Sequence, residues 1–197
     1  QHDYNTFFIN IKIGANLTAD TEIAVTGGKK LMLSSSVAST VRTINANNSG
    51  RIFKISGSGT VLNLEDIKLE GGYAADGKGG AVCVEAGGVL WLYNKTVITP
   101  STGADINTKG KNDVYLANGA KIRVNSSLTS LDPIVARITP ADYNEGITVL
   151  TGTTIGSDYT RFSVTQLTGS TDNIWTIKND GTLAAISKTI TGGTDAW

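Results

Sequence analysis

Residues 77–94 read GKGGAVCVEAGGVLWLYN. Val82 and Val84 alternate with Cys83; after EAGG, Leu90 and Leu92 alternate with Trp91. Side chains of an extended chain point to opposite faces in turn, so this period of two marks two short strands with one face inward. The same pair recurs three times. Ile23 and Val25 precede Leu31 and Leu33 in EIAVTGGKKLMLS; Phe53 and Ile55 precede Leu62 and Leu64 in IFKISGSGTVLNLED; Val114 and Leu116 precede Ile122 and Val124 in DVYLANGAKIRVNS.

The spacing decides between folds. The pairs close at 25, 55, 84 and 116 (steps of 30, 29 and 32) and at 33, 64, 92 and 124 (steps of 31, 28 and 32). A weaker third strand follows each pair, around 41–44, at Ile67 and Leu69, near Val97 and around 128–136. The links TGGKK, SGSGT, EAGG and ANGA are too short for a helical crossover. A chain of hairpins gives no reason for three strands per unit repeating at this length. A coil of three strands with sharp corners does, each rung stacking about 4.8 Å from the next. The expected fold is all-β: a right-handed, single-stranded parallel β-helix of about four coils over residues 21–136. A β-sandwich with fortuitous spacing is the alternative. Third corners of variable length, 71–80 and 100–113, fit a solenoid, whose interior does not feel insertions at a corner.

Both ends of such a stack need covering. Residues 1–20 carry YNTFFINIKIG, expected as an N-terminal cap strand or first partial coil. After 136 the rhythm breaks. Residues 137–197 are expected to form a small antiparallel capping unit, with turns at TDN (171–173) and NDG (179–181) and Trp175 as its core anchor.

Composition narrows the function classes. The 197 residues hold 17 basic and 17 acidic side chains, and only 17% are charged, so no polyanionic partner such as nucleic acid is called for. Glycine is frequent at 23 and proline scarce at 3, as many strands and tight turns require. A single cysteine, Cys83, excludes an internal disulfide or a cysteine metal cluster. No apolar run reaches the length of a transmembrane helix. A leader segment and a starting methionine are missing, so the chain reads as trimmed, and the low charge points to an exported protein.

No catalytic constellation stands out. GKGG lacks the spacing of a phosphate loop and leads into a strand rather than a helix. Cys83 lies far in sequence from the one histidine, His2, and alternation turns it outward. Glu65, Asp66 and Glu70 share one coil, but no carboxylates stack above or below them as an acid–base pair requires. Neither a catalytic residue, a metal site nor a cofactor is expected.

The remaining candidates lie on the outer face. The coil offset places Trp91 between Asn63 and Arg123, Tyr93 between Glu65 and Asn125, and Tyr115 over Cys83. Exposed aromatics beside polar neighbours suit ligand contact, so Trp91, Tyr93, Tyr115 and Arg123 are candidate binding residues. Arg123 over Trp91 could equally be an internal cation–π pair. Asp105, Lys109, Lys111 and Asp113 share the long corner insertion and are loop candidates for an ion or a sugar.

GGAV at 79–82, the LWLYN strand at 90–94 and the stretches 50–72, 112–128 and 138–152 resemble bacterial surface and secreted proteins with pectate-lyase-like β-helix repeats. GGAV is similar to the GGA(I/V) step of polymorphic outer-membrane-type proteins. The resemblance implies a β-helix, an extracellular or bacterial cell-surface location, association with the outer membrane and an adhesin-like role toward a glycan or a host or extracellular protein. The functional expectation is therefore a non-catalytic exported binding module. A carbohydrate-active enzyme and a purely structural spacer are its alternatives.

Overall fold

The computed structural model describes residues 8–167 and 173–187. Its first coil holds β1 (Ile9–Ile13), β2 (Leu17–Thr18) and β3 (Ile23–Thr26). The second holds β4 (Lys30–Ser35), β5 (Arg42–Asn45) and β6 (Phe53–Ser56), and the third β7 (Thr60–Glu65), β8 (Ile67–Glu70) and β9 (Val82–Val84). The fourth holds β10 (Gly88–Tyr93), β11 (Val97–Ile98) and β12 (Val114–Leu116). In the fifth, β13 (Lys121–Arg123) and β14 (Ala136–Pro140) flank an irregular stretch. A last part-coil carries β15 (Leu150–Thr151), the short helix α1 (Ile155–Asp158) and β16 (Phe162–Val164). A hairpin of β17 (Asn173–Ile177) and β18 (Leu183–Ser187) follows.

Equivalent strands stack into three parallel sheets. Sheet one runs β1-β4-β7-β10-β13-β15, sheet two β2-β5-β8-β11 and sheet three β3-β6-β9-β12-β14-β16. This is a parallel β-helix, as the spacing requires, but with about five coils rather than four. The difference arises at both ends. Residues 9–18 pair in parallel with the second coil, and residues 136–164 keep parallel register after the sequence rhythm has broken.

Register turns the alternating pattern into ladders. Phe53, Val82, Val114 and Ile138 stack inward in sheet three; Leu62, Leu90 and Ile122, and beside them Leu64 and Leu92, do so in sheet one. All of these are fully buried. Each such side chain contributes about 1.5–3 kcal/mol of burial, which drives the stacking.

Glycines at the third corner serve a different end. A Cβ on Gly80 would meet the carbonyl oxygens of Gly110 at 2.2 Å and Gly72 at 2.5 Å. The corner excursions of coils three and four thus touch backbone to backbone. That close approach requires glycine at the end of GKGG.

The C-terminal end is closed by antiparallel pairing. The Gly146 and Leu183 amides donate to the Leu183 and Ile147 carbonyls at 2.9 and 2.8 Å, and the Val149 amide to Gly181 at 3.0 Å. Trp175, Ile177 and Leu183 join the core. The NDG stretch forms the hairpin turn, where the Gly181 amide donates to Lys178 at 2.9 Å. The expected TDN turn falls largely on residues outside the described ones.

Candidate functional site

Sheet one presents a flat outer face whose columns follow the coil offset. Met32, Asn63, Trp91 and Arg123 form one column; Ser34, Glu65 and Tyr93 form the next. Trp91 and Tyr93 are half-buried, with ring centroids 6.2 Å apart. The Phe8 ring packs 5.8 Å from Trp91 on the other side. Exposed Arg123 lays its guanidinium 5.0 Å from the Trp91 ring, and its Nε donates to Asn125 Oδ1 at 3.2 Å. This cation–π pair is worth about 0.5–1 kcal/mol at an exposed site. The guanidinium thereby occupies one face of the indole.

Between Glu65, Asp66 and the corner that follows β4 lies a polar groove of about 330 Å³. Lys12, Ser34, Ser36, Glu65, Asp66 and Asn94 contribute to its lining. The carboxylates are held in place. Glu65 Oε1 accepts from Asn94 Nδ2 at 2.9 Å, and Asp66 Oδ1 accepts the Lys95 amide at 3.1 Å. Asp66 and Asn94 both sit at positive φ, 54°, the left-handed corner conformation that Asp and Asn tolerate best after glycine. Each carboxylate is thus an oriented acceptor, and Tyr93 is Glu65's register partner on the neighbouring strand.

Tyr115 lies elsewhere. It is on the outer face of sheet three, in register with Cys83 and Thr139, with Lys78 Nζ 5.8 Å from its ring. It does not join Trp91 and Tyr93 in one platform. Burial, aided by the Glu85 carboxylate, raises the Tyr115 pKa. Cys83 faces outward as alternation requires but is buried between Lys54 and Tyr115. Burial, then Glu85, pushes its thiol up to about 11. Such a thiol is neutral at physiological pH and a poor nucleophile.

The loop candidates split in the same way. Asp113 is fully buried, and its carboxylate accepts the Gly80 amide at 2.8 Å, the Gly110 amide at 3.2 Å and the Thr139 hydroxyl. Asp113 pins the corner and, fully buried, presents no surface to a ligand. Lys109 and Lys111 extend over Tyr143 and Tyr73, at 5.3 and 4.7 Å from the ring centres. Asp105 takes part through its backbone carbonyl.

That carbonyl belongs to a cage around Arg137, which sequence reasoning missed. Arg137 points out of sheet three yet is 2% exposed, because the 100–113 insertion folds over it. Its guanidinium donates to the carbonyls of Asp105 at 2.9 Å, Thr108 at 2.8 Å, Lys111 at 2.8 Å and Ile106, and reaches Ser101 Oγ at 3.4 Å. Burial lowers its pKa against the upward pull of Asp113 and Asp105. Arg51 clips the shorter excursion similarly, donating to Glu22 at 2.6 Å, to Asp76 at 2.9 Å and to the Lys78 and Gly79 carbonyls. The only sequence signal for Arg137 was a cation in the alternating run VARIT (135–139).

Among the described residues no group of three or more His, Cys, Asp or Glu is placed to hold a metal ion, and no helix is long and apolar enough to cross a membrane. No protein-family model matches the chain, and no curated protein or solved structure matches it either.

Proposed function

We propose that the chain is a non-catalytic, exported β-helix module that binds a neutral glycan on the outer face of sheet one. The observation that carries this reading is the half-exposed Trp91–Tyr93 pair on the same sheet face as a groove of oriented polar groups, to which Tyr93 is linked by its register partner Glu65. A sugar ring has an apolar C–H face and a rim of hydroxyls. Aromatic rings match the face, while carboxylates, an amide and serine hydroxyls match the rim. With Glu65 and Asp66 against Lys12, the groove carries more negative than positive charge, which favours an uncharged sugar over an acidic one. The low charge of the chain and its likeness to adhesin-like β-helix proteins support an extracellular or cell-surface location.

The test is a glycan-array screen of the purified chain beside Trp91→Ala and Glu65→Gln. Binding to a neutral glycan that falls at least tenfold in both variants supports the reading. Binding to no glycan, or binding that both variants retain, overturns it.

A further inference from the structure

The three prolines follow Thr99, Asp132 and Thr139, so Asp132–Pro133 is the one Asp–Pro bond of the chain. Such a bond has a chemical weakness. The aspartate carboxyl can close a five-membered ring on its own backbone carbonyl carbon, and the proline nitrogen, a tertiary amide, leaves as a more basic amine than an ordinary amide nitrogen does. This bond sits in the irregular stretch between β13 and β14, where residues 131–133 are exposed and Leu131 is wholly so. Water has free access to it.

What surrounds the bond matters more than its type. Arg161 Nη2 donates to the Asp132 carbonyl oxygen, the oxygen of the Asp–Pro amide itself, at 2.6 Å. A cation fixed on a carbonyl oxygen draws electrons from the carbon, and it binds more strongly still once that oxygen becomes an oxyanion. The same guanidinium holds the Leu128 and Ser130 carbonyls, so its position does not depend on Asp132 alone. The carboxyl is also placed. The Ser130 hydroxyl accepts the Asp132 amide at 3.2 Å and donates to Asp132 Oδ2 at 3.0 Å, while Oδ1 has no hydrogen-bond partner among the described residues.

We infer that the chain cleaves itself once at Asp132–Pro133, with Asp132 as the nucleophile and Arg161 as the donor to the developing oxyanion. A carboxyl oxygen of Asp132 bonds to its own backbone carbonyl carbon, and the displaced electron pair rests on the oxygen that Arg161 holds. The C–N bond then breaks. Its electron pair stays on the proline nitrogen, which takes the carboxyl proton, and a cyclic anhydride remains on Asp132. Water opens the anhydride to two carboxyl groups, so the net reaction is hydrolysis with no other reactant. The two pieces stay joined, because β14 pairs with β12 and β15 with β13 across the cut. The chain also carries its own control. Arg137 holds the Asp105 carbonyl at 2.9 Å, but Ile106 follows, whose secondary amide nitrogen is the poorer leaving group, and no cut is expected there.

The purified chain held at about pH 5 and about 37 °C, sampled over days by denaturing mass spectrometry, tests this. Fragments ending at Asp132 and beginning at Pro133 should form at least tenfold faster in the folded chain than in the same chain in urea at that pH. The size-exclusion profile of the folded sample should not change. Asp132→Glu, which needs a six-membered ring, and Pro133→Ala should each slow cutting at least tenfold. Both positions are exposed, so the melting of these variants should match the unmodified protein. Arg161→Ala, kept below its melting point, should cut no faster than the chain in urea. A folded chain that stays intact, one that cuts no faster than the unfolded chain, or a variant of Asp132, Pro133 or Arg161 that cuts at the full rate overturns the inference.

Discussion

Leu183 in the closing hairpin is fully buried and Trp175 nearly so, whereas Ile9 and Ile11, in inward positions of the first coil, remain largely exposed. Both regions are strands laid on the same three-sided stack. What differs is whether anything lies on their far side. In a solenoid each rung contacts only its neighbours, so an inward side chain stabilises the fold only when both neighbours are present. The C-terminal end supplies its missing neighbour by switching from parallel to antiparallel pairing. At the N-terminal end the same chemistry meets no further strand among the described residues.

Four measurements would break or sharpen this contrast. Trp175→Ala should have the largest effect, a loss of about 3–5 kcal/mol in urea unfolding, because it opens a cavity under the hairpin, where Trp175 joins the core and meets the Tyr143 ring at 5.5 Å. A loss under 1 kcal/mol would mean that the hairpin does not close the stack. Arg161→Ala comes next, at about 2–3 kcal/mol. Its guanidinium holds the Leu128, Ser130 and Asp132 carbonyls of the irregular fifth coil, and removing it strands those acceptors.

The contrast itself is read most directly from one ladder. Ile44→Ala should cost about 2–5 kcal/mol, while Leu17→Ala, one rung below in the same column, should cost under about 1 kcal/mol at concentrations where the chain is monomeric. Equal costs would show that the first coil is covered after all. The smallest effect concerns the middle of the stack. Cys83 should react with a thiol reagent at pH 8 only after denaturation. Its folded pKa, about 11, lies above the unfolded value, so its contribution to stability is complete below roughly pH 9 and is lost as pH rises toward 11. Cys83→Ala should remove that part of the alkaline decline, and an unchanged pH profile would contradict the assignment.

The ladders were legible in the sequence because their signal is local: alternation within five residues, repeated at a fixed interval. Trp91, Tyr93 and Arg123 could be placed for the same reason, since the interval alone sets which outward residues become neighbours. Tyr115 was placed correctly on Cys83, but not relative to Trp91, because the angle between sheets does not appear in any interval. The polar groove was not legible. It lies between Glu65, Asp66 and the corner that follows β4, which is longer than its counterpart in the next coil. The burial of Asp113 and Arg137 was hidden too, since a charged residue at an outward position reads as solvated until a loop from another part of the chain is known to lie over it.

The Arg137 cage has a consequence for how this surface can change over generations. Apart from the hydroxyl of Ser101, the guanidinium grips the 100–113 insertion only by backbone carbonyls, which every amino acid supplies. The grip of Arg137 on the insertion is therefore independent of the side chains at exposed positions such as Thr102, Ala104 and Ile106. Substitutions at those positions leave that grip in place, so the surface can change while its fastening stays.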